Sequence, residues 1–138
     1  MKKVLLLSCL LLFAFSFAQR PTAEKVAFAK VTQKKCLTKK GYTLVLKDVV
    51  SDSRCPDGLN CIWAGEATAI ISVYKDSKFV EDNTMVFSMK NQEENKLWFC
   101  KYLPENKKNL KGVQLVPYPN KDTPIDKKKY LVKVSYLK

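Results

Sequence analysis

The sequence is built from short stretches in which apolar and polar residues alternate. In 130–137, Tyr130, Val132, Val134 and Tyr136 fall on one side and their neighbours on the other. A period of two is the repeat of a pleated strand; a helix would scatter these side chains around its circumference. The same reading applies to 42–47, 67–74, 84–89, 97–103 and 112–116, with 27–32 a weaker instance. Between them lie the hairpin segment 75–78 and the polar connections 90–96, 104–111 and 119–129, which carry turn residues. About seven such strands predict an all-β fold, a small antiparallel sandwich or barrel. No window sustains a 3.6-residue period with caps. The helix candidates are a turn within 91–96 and one after Pro124.

The N-terminus has a different character. Lys2 and Lys3 precede an apolar run over 4–17, and Ser16 and Ala18 put small residues before Gln19. This is the pattern of a cleaved secretory signal, with 1–18 removed and 19–138 folding as a single all-β domain. A lipobox ending at Cys9 is the alternative. It is disfavoured, because cleavage there would leave the apolar stretch 10–17 on the exported chain. No second apolar run follows, so no transmembrane segment is expected after cleavage. The expected location is the periplasm or the cell exterior.

Export makes the cysteines informative. Cys36, Cys55, Cys61 and Cys100 remain after the leader, an even number that predicts two disulfides in an oxidising compartment. Cys55 and Cys61 enclose Pro56-Asp57-Gly58-Leu59-Asn60, a turn-rich loop whose ends can meet, which leaves Cys36 to pair with Cys100. A four-thiolate zinc site is disfavoured without a C-x-x-C knuckle, and neither a metal nor a cofactor is expected.

The chain of 138 residues contains no histidine, which removes imidazole acid–base chemistry and the triads that depend on it. No other catalytic motif is present, so the protein is read as a non-enzyme. The net charge is +12, or +10 once Lys2 and Lys3 are lost. A solvated lysine coat accounts for this; contact with an envelope protein or an anionic glycan or lipid surface is the sharper reading. Nucleic acid is not an expected partner of an exported chain without a binding motif. The oligomeric state is left open.

The segment 51–67 concentrates residues with structural roles. Arg54, Asp57, Leu59 and Asn60 are the candidate loop contacts, held rigidly by the Cys55–Cys61 ring. Trp63 is expected to pack where the chain re-enters the core. Gly65 is expected to permit a close approach or bulge, and Glu66 to pair with Arg54 across the base of the loop. The string Asp52-Ser53-Arg54-Cys55-Pro56, then Cys61, then Trp63-Ala64-Gly65-Glu66-Ala67 resembles a motif of small exported bacterial proteins of uncharacterised function. That resemblance implies a small exported β-domain and brings no activity with it.

Two further groupings are weighed. Asp48, Asp52 and Asp57 could attract a cation, although their spacing fits no EF-hand. Trp98, Phe99, Tyr102, Tyr118, Tyr130 and Tyr136 could form a carbohydrate platform, although strand aromatics usually serve core and cross-strand packing. The functional expectation is a binding or interaction module of the envelope or the cell exterior. A passive structural envelope protein and a protease-inhibitor-like use of the 55–61 loop are the alternatives.

Overall fold

The structure is a computed structural model, and it describes residues 24–34 and 40–138. Residues 1–18, expected to be a cleaved signal, with Cys9 among them, and Cys36 lie outside the described residues. The strands are β1 (Val26–Val31), β2 (Tyr42–Asp52), β3 (Ala67–Lys75), β4 (Lys78–Phe87), β5 (Leu110–Val116) and β6 (Leu131–Leu137). One helix, α1 (Gln92–Tyr102), and two short 3-10 turns at Glu105–Lys107 and Lys127–Lys129 complete the described elements.

The six strands form two antiparallel sheets of three, in the orders β1-β6-β5 and β2-β3-β4. The fold is therefore a two-layer β arrangement and not a closed barrel. Asp76 and Ser77 join β3 to β4 with φ of 49° and 70°. Two positive φ values give the two-residue turn whose twist suits a hairpin. Residues Lys47 and Val50 are extra in β2 relative to β3, and these bulges bend the strand.

The period of two pays off in the core. Leu46, Ala69, Ile71, Met85 and Phe87 from one sheet meet Val31, Val113, Leu115, Val132 and Val134 from the other. At roughly 25 cal/mol per Å² of apolar surface, burying these side chains is the main drive to the fold. Helix α1 packs against β5 and β4 and drops Phe99 into the same core. The buried Asn95 amide donates to the Val86 carbonyl at 2.9 Å, tying the helix to β4.

Two expectations are corrected here. The seventh strand, 97–103, is helical. Its alternation was a coincidence of aromatics: Asn95 and Phe99, four residues apart, face inward, while Leu97 faces solvent. Glu93 and Glu94 in the first turn and Lys101 in the last suit the helix dipole and override the strand propensity. The second correction concerns sulfur. The described residues hold one disulfide, Cys55–Cys61, and Cys100 is a free thiol donating to the Lys108 carbonyl at 3.2 Å. Placing Cys100 on α1 directs its sulfur toward the segment that follows the helix. Cys36, the partner expected for Cys100, lies outside the described residues.

Candidate functional site

The 53–66 loop begins as a continuation of the β2–β3 hairpin. Ser53 N–H donates to the Glu66 carbonyl and Cys55 N–H to the Ala64 carbonyl, each at 2.8 Å. Beyond these two rungs the Cys55–Cys61 bond closes the ring, with Cα atoms 6.0 Å apart. The ring is also docked sideways. Asp57 N–H donates to the Pro119 carbonyl at 2.9 Å, and Lys121 N–H to the Asp57 carbonyl at 3.3 Å. The loop is thus held by backbone bonds on two sides and by sulfur across its neck.

Beneath the loop lies a network that the sequence spacing did not reveal. Asp52 and Arg54 lie two apart on extended chain, which puts both side chains on the same face. Arg54 donates from Nε to Asp52 Oδ1 at 2.8 Å and from Nη2 to Asp52 Oδ2 at 2.6 Å, a bidentate pair. Nη1 donates to the Leu115 carbonyl at 2.6 Å and Nη2 to the Pro117 carbonyl at 3.0 Å. The Tyr130 hydroxyl donates to Asp52 Oδ2 at 2.8 Å, and the guanidinium lies 4.8 Å from the centre of the Tyr118 ring. Arg54 is only 8% exposed.

The electrostatics follow from this geometry. Burial by itself pushes the Asp52 carboxyl up, but the hydrogen bonds from Arg54 and Tyr130 and the Arg54 charge outweigh it. The carboxyl is held below its ordinary value. Burial, and then the bond to Asp52, push the Tyr130 hydroxyl up to about 12, with Arg54 opposing. Both groups therefore keep their partners across the neutral range.

Several sequence-based assignments change. Arg54, read as a loop contact, is committed inward and cannot meet a partner. It does not pair with Glu66, because Asp52 lies on its own face of the chain; Glu66 contributes its backbone carbonyl, which also accepts from Ser53 Oγ at 2.9 Å. Trp63 does not enter the core. It is 72% exposed, next to a fully exposed Ile62, and Leu59 is exposed on the same loop. The β3 core begins only at Ala67, so the four residues before it remain outside the sandwich. Asp57 and Asn60 are exposed on the ring, and Gly65, with φ of 69°, lies against Ser53.

The other groupings do not assemble. Asp48 accepts from Val49 N–H at 2.8 Å, Asp52 is paired with Arg54, and Asp57 lies on the ring. Among the described residues no three His, Cys, Asp or Glu side chains converge to hold a metal ion. The aromatics are dispersed. Trp98, Phe99 and Tyr102 cluster on α1, Tyr118 lies by Arg54, Tyr130 by Asp52, and Tyr136 by Lys107.

The missed features are Ile62, the pairing of Asp52 with Arg54, and the inward course of Arg54. The Asp-x-Arg spacing was the available signal for the pair. A search against protein families, curated proteins and solved structures finds no match to this chain. No helix of the described residues is long and apolar enough to cross a membrane.

The ring carries a direct prediction. Cys55→Ser with Cys61→Ser lowers stability by about 2 kcal/mol, the loop-closure entropy returned to the unfolded chain. Thermal melting under non-reducing conditions reads this, and an unchanged midpoint would show that the backbone bonds to Pro119 and Ala64 suffice alone.

Proposed function

We propose that the protein is an exported, non-catalytic binding module, and that the 53–66 loop is its contact element. The observation that carries this reading is the exposure of Ile62 and Trp63 on the returning limb of a loop locked by a disulfide. Large aromatic side chains anchor interfaces because they bury much area with few rotatable bonds. A rigid loop loses little entropy on docking. A passive envelope domain would be expected to cover Trp63 with its own side chains, and it does not.

The occupant that fits is a protein pocket lined by apolar groups. The loop itself is not cationic, since Arg54 is neutralised by Asp52 while Asp57 and Glu66 are acidic. The resemblance of 52–67 to small exported bacterial proteins supports the export half of the reading. Inhibition of a protease is the special case in which the pocket belongs to an active site; the exposed, sulfur-closed ring is the feature that favours it.

A photoreactive phenylalanine analogue placed at position 59, exposed on the same loop, tests the reading. The expected result is a discrete cross-linked product with a component of the envelope fraction, lost from a variant that also carries Ile62→Ser. Trp63→Ala should abolish capture while changing stability by no more than about 0.5 kcal/mol, as for other exposed positions. Undiminished capture by Trp63→Ala, or a large loss of stability, would overturn it.

A further inference from the structure

A second surface lies on the outer side of the β1-β6-β5 sheet. The outward residues are the alternate positions 26–30 of β1, 131–137 of β6 and 112–116 of β5. None of them is acidic. Lys30 of β1 is directly opposite Lys133 of β6, and Gln114 of β5 continues the row. Like charges placed directly across a sheet oppose folding. The Lys133 ammonium lies 4.0 Å from the centre of the Phe28 ring, which relieves part of that repulsion. Neither lysine forms an ion pair among the described residues.

The row is flanked by apolar side chains that face solvent. Phe28 is 53% exposed and Val26 is nearly as open, with Leu137 beside Val26 across the strands. At that end Lys138 N–H donates to the Lys25 carbonyl, which puts two more lysines at the rim. We propose that this face docks on an anionic lipid bilayer, with Lys30 and Lys133 meeting headgroup charge and Val26 and Phe28 entering the interface. Glu24, exposed at the rim beside Val26, is offset by Lys111 at 3.6 Å, so the face keeps a positive excess that matches a negative surface, and lysine stems alongside apolar residues suit an interface with a wet and a dry side. A glycan fits less well. Its hydroxyls need many partners, whereas the uncharged polar groups here are Gln114 and Ser135, whose hydroxyl already donates to the Gly112 carbonyl. This inference is independent of the loop.

Sedimentation with vesicles of phosphatidylcholine, alone or mixed with phosphatidylglycerol, tests it. Binding is expected on the mixed vesicles, weakening with salt, and not on phosphatidylcholine alone. Lys30→Glu should weaken binding roughly twenty-five-fold, since it removes one positive charge and adds a negative one, each worth about fivefold at such a surface. The same variant should raise the melting temperature, because it turns a like-charge pair with Lys133 into an opposite-charge one. Lys133→Gln and Phe28→Thr should each weaken binding as well, and Trp63→Ala should not. Binding that is equal on the two vesicle types, or unaffected by Lys30→Glu and Lys133→Gln, would overturn the proposal. So would full displacement of the protein from mixed vesicles by a soluble sulfated polysaccharide at equal charge concentration.

Discussion

Gly65→Ala is expected to cost about 3 kcal/mol or more, lowering the melting temperature by about 10 °C or more. Gly65 has φ of 69°, where a side chain is strained. Strain is the smaller part. A Cβ there would lie 1.9 Å from the Ser53 carbonyl oxygen and 2.7 Å from its carbon. Both obstacles are backbone, and that backbone is held by the rungs from Ser53 to Glu66 and from Cys55 to Ala64. No side chain can swing aside to relieve the clash, so the hairpin base has to separate. Gly41→Ala is the internal control. Its φ is 90°, yet nothing lies within 4 Å of an added Cβ. It should cost only the conformational strain, about 1 kcal/mol. Equal melting temperatures for the two variants would mean that the neck of the loop is loose in solution.

Arg54→Met is expected to be the other large loss, about 3–5 kcal/mol, because it strands a buried carboxylate. The Asp52 and Arg54 side chains are 9% and 8% exposed. Removing the guanidinium also leaves the Leu115 and Pro117 carbonyls without their donor. The pH dependence distinguishes this cause from lost packing. In the parent protein the Asp52 carboxyl is held below its unfolded value of about 3.9. Its contribution is present above that value and is lost as pH falls through the lower folded one. In Arg54→Met the main lowering influence is gone and burial remains, so the variant folds best with Asp52 protonated. The stability gap between the two proteins should therefore narrow as pH falls from 7 toward 3. Asp52→Asn combined with Arg54→Met should recover part of the loss at neutral pH. A gap that stays constant with pH would show that the ion pair is not the source.

How much was legible depends on how far each residue's partners lie along the chain. The strands around Ile71 and Val134 were readable, since alternation is a local property and both faces are assigned by neighbours two residues away. The Cys55–Cys61 closure was readable for the same reason, its ends being six residues apart with turn formers between. The 97–103 segment was misread because its aromatics satisfy a period of two over a short window. The helix shows only when Glu93, Glu94, Asn95 and Phe99 are taken together. Trp63 was misread because its size alone suggested a core position, whereas the hairpin base ends the sandwich before the chain reaches it.

The chain by itself determined where the six strands run, which short loop sulfur closes, and the chemistry denied to a protein without histidine. Tertiary structure alone decided that Arg54 turns inward and Trp63 outward. The partners of Arg54 at Leu115 and Pro117 lie 61 and 63 residues away, and Tyr130 reaches Asp52 across 78. Those distances close only when the β1-β6-β5 sheet packs on the other, so no local spacing encodes them. The physical reason is that a buried charge takes its partners from whichever strands the packing of the core brings beside it.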